Sequence, residues 1–200
     1  MHLSEGVVSL PILQAGGALT VAGTIVGLKK IDEDHLMTTA MLSATFFVAS
    51  LIHVPLGPGS VHLLLNGLMA LILGWACVPA ILVALILQAV FFQYGGLTVL
   101  GVNVVIIAGG GLLGSCCFRS MLRNPRQRNL AAFGAGFLSV GCASLLLCAT
   151  LVTTHQDFIG TARVIFAAQL PVMVVEGVMT LFIVSFLAKV QPEILGLTHD

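Results

Sequence analysis

The sequence predicts an all-α fold, a polytopic transmembrane helical bundle of about seven spans forming a single domain over residues 1–200. Three observations predict it. Hydrophobic residues make up 58% of the chain and charged residues only 8%, against roughly a quarter charged in an ordinary soluble domain. Mean hydropathy is +1.10. The apolar stretches are continuous and of helical length, without the two-residue alternation of a transmembrane barrel. Formal net charge is zero, so bulk electrostatics point to neither nucleic acid nor an acidic partner.

The predicted spans run near residues 8–28, 36–53, 60–76, 78–94, 97–118, 129–152 and 162–188. The first ends at a polar turn holding Lys29, Lys30, Asp32, Glu33 and Asp34, and the second at HVPLGPGS, residues 53–60. The third is close to the lower limit of ~17 residues for crossing a bilayer. Its start is read at Ser60, a residue type that caps helices, which puts His62 in the first turn. Breaks at Trp75 to Pro79, Tyr94 to Gly96, the RNPRQR stretch and Thr154 to Asp157 separate the remaining spans. With the amino terminus outside, Lys29, Lys30, Arg119, Arg123, Arg126, Arg128 and Lys189 fall on the cytoplasmic side and only Arg163 outside, as the positive-inside rule requires.

The five cysteines contain no CxxC pair and read as small hydrophobes, not as a disulfide frame or a zinc site. No Lys or Arg precedes the first apolar stretch, so a cleavable signal peptide is not expected and Met1 is expected to keep its free amine. There is no GxxxxGK[ST] phosphate loop, HExxH helix or GxSxG elbow. The chain is therefore read as a non-enzyme that cannot hydrolyse ATP. Small residues at four-residue spacing, Ala18 with Ala22, Gly23 with Gly27, Ala40 with Ala44 and Gly110 with Gly114, mark close helix contacts or a docking face for another membrane subunit.

Chemistry concentrates at the amino terminus. The Met1 amine, the His2 amide nitrogen once deprotonated and the His2 imidazole can close two fused rings on one ion, and the resulting plane of nitrogens suits Ni(II) or Cu(II). Zn(II) prefers a tetrahedron and Mg(II) prefers oxygen. The topology brings His62 to the same side, where its imidazole can be the fourth nitrogen. Helix-dipole repulsion at that place costs a few tenths to ~1 kcal/mol, and the deprotonated amide offsets it. His53 is an interfacial residue or a way-station in the same loop. Cu(I) transport is disfavoured because Met37 and Met41 are the only close helical methionine pair and lie near the inner side. Glu5 can anchor the terminus or collect cations. Asn103, about six residues into its span, lies ~9 Å below the outer surface at helical rise, within reach of an inserted terminus. Glu176 sits deep in the last span, a turn after Pro171; it is read as a carboxyl that braces helices, against Asn66 or Gln88, or as a group on the exit path.

The segments MHLSEG, GPGSVHLLLNG, ILGW, ILVALILQAVFFQYGGLTVLGVNVV and the VEG ending at Gly177 together resemble the CbiM/NikM family, the substrate-capturing membrane components of energy-coupling-factor nickel and cobalt importers. The resemblance covers nearly the whole chain. It implies that Met1, His2 and His62 hold the ion in a square plane of nitrogens; the residues themselves suggest Glu5, Asn103 and Ser60 as supporting groups and His53 and Glu176 as pathway groups. It also implies that the chain is a multi-pass protein of the cell membrane with partners: a transmembrane coupling subunit, cytoplasmic ATPase subunits and a small accessory membrane protein. The NG after HLLL and the LGW that follows look more like nickel members, which makes Ni(II) the expected cargo and Co(II) the alternative. GVNVVI departs from the usual Asn-Met continuation, although Asn103 itself matches. Two other functions fit a bundle of this kind. A vitamin-capturing subunit calls for an aromatic-walled pocket, and the chain has one Trp and one Tyr. An autonomous secondary transporter calls for midplane acids on broken helices, for which Glu176 alone is available.

Overall fold

A computed structural model describes residues 3–56 and 59–197. The α-helices among them are α1 (Leu10–Leu28), α2 (Glu33–Leu51), α3 (Asn66–Leu73), α4 (Cys77–Phe92), α5 (Leu100–Cys116), α6 (Arg128–Thr154) and α7 (Ile159–Val190). Local chemistry sets several of the ends. Pro11 pre-forms the first turn of α1, and the Asp32 carboxylate caps α2 by accepting from the His35 backbone N–H at 2.9 Å. Gln93 closes α4 in the left-handed region, at φ 56°.

Four helical stretches are long and apolar enough to cross a bilayer: Leu10–Leu28, Asn66–Phe92, Arg128–Thr154 and Ile159–Val190. His35–Leu51 and Leu100–Cys116 are shorter apolar helices. Large apolar side chains such as Val21, Val90, Phe91, Val164 and Phe182 stand exposed on the helix surfaces. Water would be a poor solvent for such faces, and lipid is a good one. The chain is a membrane protein.

The third predicted span is where sequence and structure part. Residues 60–76 divide into the end of a β-hairpin, a short coil, α3 and a 3-10 turn at Gly74–Ala76. The hairpin pairs β1 (His53–Leu56) with β2 (Gly59–His62), an unexpected pair of strands in a helical protein. Two corrections follow. Ser60 does not cap a helix but pairs with Pro55 across the hairpin, and His62 is the last residue of a strand, not part of a first helical turn. Val54 and Val61 are β-branched, and Pro55 next to two closely spaced glycines opposes helix; both facts favour a reversal over a helical start. At 8 residues α3 rises about 12 Å, far short of a ~30 Å hydrocarbon core. Asn66 to Leu71 are buried all round, as expected of a helix that meets protein on every side.

Glycines decide how closely the long helices approach. A Cβ on Gly110 would lie 2.6 Å from Ala143, and one on Gly114 would lie 2.3 Å from the Ser139 nitrogen. These two glycines let α5 rest on the backbone of α6. Gly23 and Gly27 do the same for α1 against Val78 and Pro79 at the start of α4. Ala18, Ala22, Ala40 and Ala44, by contrast, are exposed.

Candidate functional site

The described chain begins inside the bundle. Leu3 is only 5% exposed and Asn103 only 3%, and the Asn103 side chain grips the Leu3 backbone from both directions. The Leu3 N–H donates to Asn103 Oδ1 at 2.9 Å, and Asn103 Nδ2 donates to the Leu3 carbonyl at 3.2 Å. A buried residue outside regular structure needs an acceptor for its N–H and a donor for its carbonyl; a primary amide supplies both from one planar group. Because α5 starts at Leu100, Asn103 lies in its first turn, nearer the helix end than the predicted span implied.

Two residues further on, Glu5 pins the same segment to the turn before α5. Its Oε1 accepts from the Thr98 N–H at 3.1 Å and from the Thr98 hydroxyl at 3.0 Å. The Thr98 N–H, and then its hydroxyl, hold the Glu5 carboxyl below the ordinary value of 4.5. Gly96 makes the close approach possible. At φ +119° it occupies a conformation other residues avoid, and a Cβ there would come within 2.2 Å of Glu5 Cγ. Packing of α1 onto α5 supports the arrangement: Thr20 Oγ1 donates to the Gly101 carbonyl at 2.7 Å, and a Cβ on Gly101 would lie 2.8 Å from Gly17.

Of the other predicted site residues, Met1 and His2 lie outside the described residues. The hairpin register sets the backbones of His53 and His62 directly opposite each other. Glu176 is fully buried in α7 and braces helices, as one reading of the sequence expects, but not against the partners named. Its carboxylate accepts from the Leu65 N–H, at 3.0 Å through Oε1 and 2.9 Å through Oε2, and from the Leu64 N–H. Asn66 instead donates to the Ile107 carbonyl at 3.0 Å, and Gln88 Nε2 donates to Ser50 Oγ at 2.6 Å. Composition and spacing left Thr98, Gly96 and the Leu64–Leu65 amides without a role. Only the paired glycines before Thr98 hinted at an unusual backbone there.

Among the described residues no group of three or more His, Cys, Asp or Glu side chains is placed to hold a metal ion. A groove of about 560 Å³ does exist, lined by Leu19, Gly23, Val78, Ala108 and Arg119 among others. Among the described residues named in its lining, none belongs to the segment before α1.

The family model described as the cobalt uptake substrate-specific transmembrane region, CbiM, matches residues 2–194. The chain belongs to the CbiM family. A Haemophilus influenzae protein named for metal transport is 41% identical over 204 residues, covering 100% of this chain and 99% of that protein. The cobalt transport protein CbiM of Sorangium cellulosum is 30% identical, over 98% of this chain and 94% of its own length. The fused nickel transport protein NikMN of Rhodobacter capsulatus is 33% identical over 73% of this chain, which matches 45% of that longer protein. A crystal structure described as a transition metal transporter superposes with a TM-score of 0.84 at 27% identity, covering 95% of this chain and 93% of that one. This CbiM family chain is a membrane component of metal uptake.

Proposed function

We propose that the chain captures Ni(II), with Co(II) as the alternative cargo, in a planar site of nitrogens built on its own amino terminus. The Met1 amine, the His2 amide and imidazole, and the His62 imidazole supply the donors. The observation that carries this reading is the clasp between Asn103 and Leu3. It seats Leu3, the residue that follows Met1 and His2 in sequence, inside the bundle with both of its backbone polar groups hydrogen-bonded. Relatives named for nickel and for cobalt transport support a d-block cargo, and the planar nitrogen set favours nickel.

In this reading the amino terminus faces outward in the cell membrane, and the chain is the non-catalytic, substrate-specific subunit of an ATP-driven importer. A transmembrane coupling subunit and cytoplasmic ATPase subunits supply the power stroke, and a small accessory membrane subunit completes the assembly. The exposed Ala18 and Ala22 face of α1 is smooth enough for a partner helix to approach closely. Ligation needs deprotonated nitrogens, so protons compete with the ion and capture weakens as pH falls.

Nickel titration of the purified chain tests the proposal. One-to-one binding with the absorption of planar, diamagnetic Ni(II) is expected. Adding one residue before Met1, acetylating the amine, or replacing His62→Ala should each abolish tight binding. Affinity unchanged by these alterations would refute the terminal site.

A further inference from the structure

The coil between β2 and α3 is buried but makes no regular structure. Leu64 and Leu65 are 1% and 4% exposed, and Leu65 holds a left-handed φ of 47°, an uncommon choice for a branched residue. Their N–H groups need acceptors, because burying an unpaired amide is expensive. The acceptor comes from 111 and 112 residues away: the Glu176 carboxylate, bidentate on Leu65 and also bonded to Leu64. Two successive N–H groups, the second on a left-handed residue, form a concave anion-holding backbone. The start of α3 adds the positive end of its dipole. Among the described residues the only ion pair joins His35 and Asp32, so peptide dipoles, not a cation, receive the Glu176 carboxylate.

Glu176 is itself firmly placed. Gly136 of α6 admits the α7 backbone so closely that a Cβ there would lie 2.6 Å from the Glu176 carbonyl oxygen, and Gly177 meets Phe133 in the same way. Five residues earlier Pro171 removes one hydrogen bond from α7, which leaves the helix able to bend just before this anchor. The gripped coil starts immediately after His62. Leu64 is two residues along, a distance of at most ~7 Å of chain, so whatever holds Leu64 restricts where His62 can sit.

We propose that Glu176 is a positioning residue for His62: by holding the Leu64 and Leu65 amides it ties the end of the hairpin to α7 and sets the fourth metal donor against the amino-terminal chelate. Movement of α7 about Pro171 then changes the site without touching the ion. This inference rests on the metal-capture reading above and adds to it a residue that does not contact metal.

The test uses the full chain in lipid nanodiscs. Glu176→Gln keeps the size but turns an amide NH₂ toward one of the donors. It should lower nickel affinity at least tenfold and replace the planar Ni(II) absorption with that of a more open, aqua-like site. Glu176→Asp keeps the charge but retracts it by one methylene, so its affinity should fall between those of wild type and the Gln variant; this variant decides the matter if the Gln variant does not fold. A purely structural brace would lower the melting temperature of the metal-free protein and leave the spectrum of the loaded site as in wild type. Wild-type affinity and spectrum in both variants, or in the Asp variant alone if the Gln variant does not fold, overturn the positioning role. Wild-type protein and His62→Ala are titrated in parallel: if wild type binds no nickel, or His62→Ala binds as well as wild type, the metal reading itself fails, a different result from failure of Glu176 alone.

Discussion

Asn103 and Leu3 exchange two hydrogen bonds, at 2.9 and 3.2 Å, across 100 residues of sequence. A side-chain amide thus stands where a neighbouring strand would stand in a sheet, satisfying both polar groups of one buried residue at the very start of the chain.

Replacing Asn103→Leu leaves both Leu3 backbone groups unpaired in a dry environment, at roughly 1–3 kcal/mol each. The loss should appear twice: as a lower melting temperature of the metal-free protein, and as nickel affinity reduced by at least about tenfold, since each 1.4 kcal/mol is a factor of ten. Isothermal titration and thermal unfolding of the same preparation check this. Unchanged nickel affinity would show that the clasp does not serve the site.

Glu5 contributes through its charge, and the sign of its pH dependence follows from its depressed carboxyl. Stabilisation is fully present above the ordinary glutamate value and is lost as pH falls through the lower folded value. The melting-temperature difference between wild type and Glu5→Gln should therefore be largest near neutrality and vanish in acid. Proton competition at the proposed nitrogen donors acts higher, because nitrogen ligands hold protons at pH values where a carboxyl has already lost its own. Nickel capture should weaken before the Glu5 contribution does, a separation visible when binding and unfolding are followed over one pH series.

At Gly96, an added methyl meets both a forbidden backbone angle and the Glu5 side chain. Gly96→Ala should release the Glu5 contact with Thr98 and weaken nickel binding several-fold. The rest of the bundle should melt nearly as before, because the change is confined to a surface turn. Comparing Gly96→Ala with Gly96→Ala/Glu5→Gln checks the assignment: if the contact is already lost, the second change adds nothing.

Gly114 tests packing apart from the site. A Cβ there falls 2.3 Å from the backbone nitrogen of Ser139, and backbone cannot step aside as a flexible side chain can. Gly114→Ala should destabilise the α5 and α6 pair by about 1–3 kcal/mol, measured by thermal unfolding in detergent, while one-to-one nickel stoichiometry persists in the folded fraction.

Much of this architecture was legible in the residues. Long apolar runs, broken by charges and by Gly and Pro, located α1, α2, α4, α5, α6 and α7 within a few residues, because a bilayer admits so few backbone solutions. The failure at residues 60–76 has a definite cause. SVHLLL, residues 60–65, is apolar enough to pass for the start of a span, yet α3 is a buried core helix preceded by a hairpin, and hydropathy does not distinguish protein surroundings from lipid. Ser60 likewise satisfied a capping rule with no helix beginning there; the start of α3 is held instead by a carboxylate from α7.

By itself the sequence determined that this is a membrane protein and that it belongs with metal uptake components. Each of those follows from composition or from neighbours along the chain. Only the tertiary structure decided that Asn103 holds Leu3, that Thr98 holds Glu5 and that Glu176 holds Leu64 and Leu65. A buried polar group must find a partner, but nothing in local sequence says which of many distant amides the packing of helices will bring within 3 Å.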